Sequence, residues 1–241
     1  GVRIDVDAQN NTIGGTLAGA GNLISGNSDK GVLIADAGTS SNVLQGNKIG
    51  LDATGAALGN NYGVYIAAGA TSNTIGGTTA AHRNIISGNT GHGVVITGTG
   101  TASNLVQGNY IGTDVGGTAA LSNSDGVRIT AGATNNTVGG STAGAGNVIS
   151  GNSNFGVNIF QLNTNSNTVL GNYIGTDAAG AVAISNAVGG VSINFDAAAN
   201  TIGGAAPGTR NVISGNTGSA GIVIDNSANA NTVSGNYIGT D

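Results

Sequence analysis

Hydrophobic residues along this chain fall in short alternations, not in helical stripes. Gly-Val-x-Ile begins at Gly1, Gly63, Gly126 and Gly190, in steps of 62, 63 and 64 residues. Asn-Thr-(Ile/Val)-Gly-Gly follows at Asn11, Asn73, Asn136 and Asn200, and Asn-x-Ile-Ser-Gly-Asn at Asn22, Asn84, Asn147 and Asn211. A second Gly-(Val/Ile)-x-Ile starts at Gly31, Gly93, Gly156 and Gly221, and Asn-x-(Val/Leu)-x-Gly-Asn at Asn42, Asn104, Asn167 and Asn231. Each aliphatic alternation runs four to six residues with a period of two, which is a strand signal. Four units, 1–62, 63–125, 126–189 and a truncated 190–241, account for the whole chain as a single domain.

Landmarks Gly1, Asn22, Asn42, Gly63, Asn84 and Asn104 stand 20 or 21 residues apart, so the unit divides by three. The expected fold is all-β: a parallel β-helix (β-solenoid) wound from one chain, with about 11 coils of ~21 residues and three coils per ~63-residue unit. At ~4.8 Å per coil such a rod is roughly 55 Å long. Gly-Asn occurs eleven times and Asn-Gly never. Since Asn-Gly is the strongest short hairpin signal, its absence speaks against an antiparallel meander.

In a solenoid these residues acquire physical tasks. Val2, Ile4, Val64, Ile66, Val127 and Ile129 point inward and stack, while Arg3, Tyr65, Arg128 and Ser192 alternate outward. Asn27, Asn47, Asn89, Asn109, Asn152, Asn172, Asn216 and Asn236 occupy corners. There they can adopt the left-handed region or bond peptide groups that a turn leaves unpaired.

The pattern resembles the right-handed parallel β-helix repeats of bacterial surface and secreted proteins, the pectin-lyase-like architecture. Units such as Asn147-Val148-Ile149-Ser150-Gly151-Asn152 and Asn231-Thr232-Val233-Ser234-Gly235-Asn236 carry the resemblance along the entire chain. It implies the handedness and an extracellular or cell-surface location. The fold also hosts polysaccharide lyases, hydrolases and epimerases, so it does not fix function.

Composition narrows the classes. Forty-six glycines and 33 asparagines stand beside one proline, no cysteine and 7% charged residues. Helical bundles need more helix formers, and disordered chains carry less than 39% hydrophobic residues. A net charge of −5 argues against nucleic acid as a partner, and no apolar run is long enough to span a membrane.

Candidate chemistry was sought in side chains that break the repeat. Asp52, Asp114, Asp177 and Asp241 share one position, placed by the three-coil unit roughly 14 Å apart. That separation excludes a carboxylate pair or a shared calcium ion; an Asx-turn is the expected role, and a calcium site in the loop using backbone carbonyls is the alternative, although no clear site supports it. Arg3, Asp5 and Asp7 form a surface ion pair and its neighbour. Gly91-His92-Gly93 resembles the Gly-His-Gly of β-helical polygalacturonases, but that family's accompanying carboxylate motifs are missing. His92 stands where other units have Lys30, Phe155 and Ala220, so His92 and His82 are expected to be surface residues. Thr97, Thr99 and Thr101 alternate in one unit only, which excludes a continuous ice-binding face. Tyr110, Tyr173 and Tyr237 share a position and form a possible glycan-contact column.

Repetition without a unique polar cluster favours a non-catalytic structural module: a rigid rod, spacer or filament subunit with no catalytic residues, no metal and no cofactor. Neither end shows a capping repeat, so further repeats or end-to-end self-association are the expected partners. The alternative is a polysaccharide-binding or polysaccharide-processing domain. An Asp–Asp or Asp–Arg cluster in a groove would favour it.

Overall fold

The computed structural model describes residues 1–239. Its strands form three parallel sheets of eight. The first sheet holds Val2–Ile4, Lys30–Ala35, Tyr62–Ala67, Val94–Thr97, Val127–Thr130, Phe155–Phe160, Gly189–Asn194 and Ala220–Ile224. The second runs from Thr12–Gly14 to Thr232–Ser234, and the third from Leu23–Ile24 to Tyr237–Ile238. Each coil gives one strand to each sheet, so the chain winds through eight coils of a parallel β-helix, roughly 38 Å at ~4.8 Å per coil.

The 63-residue unit therefore contains two coils, not three. The expected ~21-residue coil and the count of about 11 are both corrected. Val2 pairs with Val32 and Val32 with Val64, so the two Gly-(Val/Ile)-x-Ile segments of one unit are neighbours in the same sheet. The Asn22 and Asn42 landmarks instead introduce strands of the third and second sheets. Three strands and three corners use up 30 to 34 residues before the chain returns to the first sheet, as at Gly1, Gly31, Gly63 and Gly93.

Inward positions stack as aliphatic columns. Val64, Val94, Val127 and Val157 are fully buried in the first sheet, as are Ile66, Ile96, Ile129 and Ile159. Leu44, Ile75, Val106 and Val138 fill the second, and Ile49, Ile86, Ile111 and Ile149 the third. Each such side chain contributes about 1.5–3 kcal/mol by leaving water. The repeat glycine is a close-approach position. A Cβ on Gly126 would lie 2.6 Å from the Gly156 carbonyl oxygen, and one on Gly156 would lie 2.7 Å from Ile174 Cγ2.

Corners are closed by three asparagine ladders. The first links Asn11, Asn42, Asn73, Asn104, Asn136, Asn167, Asn200 and Asn231. The second links Asn22, Asn47, Asn84, Asn109, Asn147, Asn172, Asn211 and Asn236. The third links Asn27, Asn60, Asn89, Asn123, Asn152, Asn186 and Asn216. Each Oδ1 accepts both the backbone N–H and the side-chain Nδ2–H of the asparagine one coil earlier; Asn147 Oδ1, for instance, accepts from Asn109 N at 2.9 Å and Nδ2 at 3.1 Å. The Nδ2 also donates to buried carbonyls, as Asn109 does to Ile75 at 2.8 Å. The eight expected corner asparagines thus divide between two ladders. None of them is left-handed; that conformation belongs to the glycine before each, as at Gly46 (φ 72°) and Gly108 (φ 67°).

Replacing Asn109 by Ala removes the acceptor of two Asn84 groups and the donor to Ile75, all fully buried. We expect a loss of about 3–5 kcal/mol, read from the urea midpoint. The same change at Asn236, on the half-exposed final coil, should cost about 1 kcal/mol or less. Equal effects at the two positions would show that ladder burial does not set stability.

Candidate functional site

The residue before each repeat glycine faces outward on the first sheet. With the true coil period this position reads Lys30, Tyr62, His92, Asp125 and Phe155 through five consecutive coils. Two residues past that glycine, a second outward column reads Leu33, Tyr65, Val95, Arg128 and Asn158. Simple alternation would turn positions three residues apart to opposite faces, but the chain bends at the repeat glycine, and the contacts of Tyr62 with Tyr65, Lys30 with Tyr65, and Arg128 with His92 and Asp125 gather a lysine, two tyrosines, a histidine, an aspartate and an arginine on one face.

Asp125 is the centre of this group and its side chain is 0% exposed. Its carboxylate accepts from Asn154 Nδ2 at 2.6 Å, the Phe155 N–H at 3.2 Å and Asn158 Nδ2 at 3.4 Å. His92 Nδ1 lies 3.4 Å from Asp125 Oδ2, and Arg128 Nε lies 3.5 Å from the same oxygen. Arg128 Nη1 sits 2.6 Å from His92 Nε2. A guanidinium can only donate, so Nε2 is the acceptor and the imidazole proton sits on Nδ1, towards Asp125. The Asp125 backbone N–H also points at Nδ1, at 3.1 Å, so with the proton assigned to that nitrogen two donors face each other there.

Burial holds the His92 imidazole below the ordinary histidine range, and the adjacent Arg128 charge adds to that shift against the opposing pull of Asp125. His92 is accordingly neutral at pH 7, with its one lone pair directed at Arg128, whose side chain is 30% exposed. Around it runs an open groove of about 200 Å³, bordered by Tyr62, Tyr65, Thr97, Phe160 and Gln161. Tyr62 and Tyr65 meet edge to face at 5.3 Å, and Lys30 Nζ lies 4.9 Å from the Tyr65 ring. The Arg128 guanidinium stacks 4.4 Å from the Phe160 ring.

His92 is thus not the surface residue expected from sequence, and a unique Asp–Arg–His cluster does interrupt the repeat. The 63-residue period aligned His92 with Lys30, Phe155 and Ala220, every second coil. Tyr62 and Asp125 belong to the intervening coils of the same column. Both residues carry that signal in the sequence, at half the 63-residue period.

The other candidates lie elsewhere. Asp52, Asp114 and Asp177 stand at two-coil steps, roughly 10 Å, not 14 Å; Asp241 lies outside the described residues. Each closes a small hairpin, Asp114 Oδ1 accepting from the Thr118 and Ala119 N–H groups at 2.7 and 3.1 Å. Similar hydrogen bonds hold the Asp52 and Asp177 carboxyls below the usual range. Arg3 pairs with Asp5. Tyr110 is 9% exposed beneath the Arg83 guanidinium, 3.9 Å from its ring. Tyr173 and the more exposed Tyr237 border a separate depression of about 370 Å³ with Arg210. Val148 and Val212 alternate with the three tyrosines in the third sheet. Among the described residues no three His, Cys, Asp or Glu side chains cluster closely enough to hold a metal ion, and no helix is long and apolar enough to cross a membrane.

No family model and no curated protein matches the chain. Two solved structures are similar to it. One is the mannuronan C-5 epimerase AlgE4 A-module of Azotobacter vinelandii, at 17% identity and a TM-score of 0.48, covering 90% of this chain and 56% of that one. The other is an alginate lyase from Paenibacillus sp. str. FPU-7, at 13% identity and a TM-score of 0.38, covering 95% and 87%. The chain therefore spans little more than half the length of the epimerase module. Neither likeness bears on what the groove does.

The histidine shift has a pH consequence. His92 has a folded pKa below its unfolded value, so its contribution to stability is complete above about pH 6.5 and is lost as pH falls through the folded pKa. The wild-type urea midpoint should fall between about pH 7 and pH 5, and that of His92→Gln should fall less. Identical slopes would show that His92 is solvated in the folded protein.

Proposed function

We propose that the first-sheet groove binds and processes an acidic polysaccharide outside the cell, with the β-helix as its scaffold. The carrying observation is the Asp125–His92–Arg128 cluster: a neutral imidazole beside a buried carboxylate and capped by a partly exposed guanidinium. An open groove running along the face of a rod suits an extended polymer better than a compact ligand. Tyr62 and Tyr65 offer rings with polar tips, a combination suited to sugars. Lys30, 2.6 Å from the exposed Asp29 carboxylate, and Arg128, beside Asp125, are the cations next to the groove, and a sugar carboxylate could exchange for either partner.

The chemistry follows from the geometry. When Arg128 turns from His92 to the sugar carboxylate, it neutralises that group and frees Nε2. His92 then accepts the proton from the carbon adjacent to the carboxylate as a general base. If a groove tyrosine hydroxyl, Tyr62 or Tyr65, then gives its proton to the opposite face and is reprotonated from water, that carbon is inverted. Alternatively, the electron pair forms a double bond to the neighbouring carbon, the glycosidic oxygen leaves, and a tyrosine hydroxyl protonates it. Asp125 holds the imidazole throughout and does not touch the sugar.

A second reading, the non-catalytic rod or filament subunit, is favoured by the unbroken repetition of ladders and columns outside the groove. Incubation with polygalacturonate or polymannuronate, with and without calcium, separates the two. Under our reading the wild type binds one of these and forms unsaturated or epimerised product. His92→Gln and Arg128→Ala should each lower the rate by about 100-fold or more without loss of fold. Absence of both binding and turnover on every acidic polysaccharide tried would leave the rod.

A further inference from the structure

Beside the groove, towards later coils, lies an apolar shelf of about 550 Å³ lined by Ala131, Phe160, Gln161, Leu162, Phe195 and Asp196. Ala131, Phe160 and Gln161 border both spaces, so the shelf continues the groove along the rod. Leu162 is exposed and Phe195 is 55% exposed, although an aromatic ring gains most by burial.

The backbone adds an independent observation. The turn two residues past each inward isoleucine of the first sheet is left-handed in all eight coils, with φ between 47° and 95°. Asp36, Ala68, Gly98, Ala131 and Asn226 are residues that this conformation accepts at modest cost or none. Three coils place larger side chains there, Val6, Gln161 and Phe195, and two of those three line this shelf. A bulky residue in that region carries a strain of about 1–3 kcal/mol, and such strain gathers at ligand-holding positions. Phe195 is strained and largely uncovered, so the fold itself gains little from it.

We infer that the shelf is an accessory subsite in which Phe195 and Leu162 receive the apolar face of a sugar ring from the same polysaccharide chain. This rests on the proposed function and extends it. The shelf lies two to three coils from His92, roughly 10–14 Å along the rod, so it is reached only by a chain several sugars long. Its lining has no cation and includes Asp196, so the ring sits with its carboxylate turned away. Phe195 then determines how affinity depends on chain length, without touching the reacting sugar.

Phe195→Asn tests this, because asparagine suits the left-handed turn, as Asn226 does one coil later. Titration calorimetry would use galacturonate and mannuronate oligomers of two and of eight units. The variant should be at least as stable to heat as the wild type, bind the disaccharide equally well, and bind the octasaccharide about tenfold more weakly. Leu162→Ser should give a smaller loss in the same direction. Wild-type affinity for the octasaccharide in both variants would overturn the subsite while leaving the groove reading intact. A wild type that binds neither oligomer overturns both.

Discussion

Everything in this molecule depends on satisfying peptide groups at corners that repeat every coil. Hairpin turns close their own hydrogen bonds, but the corner of a parallel coil leaves donors and acceptors pointing along the rod. Asparagine meets that need because its side chain carries both kinds of group. In three ladders every interior Oδ1 collects two donors from the coil before, and every interior Nδ2 serves the coil after. Unpaired, such buried groups would each cost about 1–3 kcal/mol. Twenty-three of the 33 asparagines are committed to these ladders.

Fixed corners leave the outward positions of the strands free to vary, and the groove occupies that freedom. A parallel, in-register sheet brings residues about 31 positions apart to ~4.8 Å separation. Single substitutions in successive coils therefore make a contiguous surface. Lys30, Tyr62, His92 and Asp125 are such a series, and Arg128 joins them from the next outward column. The buried carboxylate is tolerated because Asn154, Asn158, His92, Arg128 and a backbone N–H surround it. Stability resides inside and at the corners, and reactivity resides on one face.

The class of fold was legible in sequence because the inward aliphatic pattern and the Gly-Asn corners recur through every unit, with few departures such as Ser122-Asn123 and Ser185-Asn186. The coil length was misread for a physical reason. Corners of all three sheets use similar Asn-containing segments, so Asn22 and Asn42 resemble equivalent points on successive coils although they open strands of different sheets. Gly31, repeating the Gly1 pattern half a unit later, was the better guide. The same misreading concealed the site. The 63-residue period equates His92 with Lys30 and Phe155 and passes over Tyr62 and Asp125, which belong to the intervening coils. Strain at Phe195 was not visible at all, since nothing in the sequence marks a phenylalanine as left-handed.

The central claim is that His92 is a neutral, Asp125-oriented base inside a saccharide groove. The chain has two histidines, and His82, between the second and third sheets, is an internal control. Imidazole ¹⁵N and ¹³C resonances followed through a pH titration, with and without an acidic octasaccharide, test the claim directly. The account predicts that His92 carries its proton on Nδ1 at pH 7, titrates below the usual histidine range, and shifts on adding the oligosaccharide while His82 does not. A His92 that titrates as a free imidazole and ignores the oligosaccharide would contradict it.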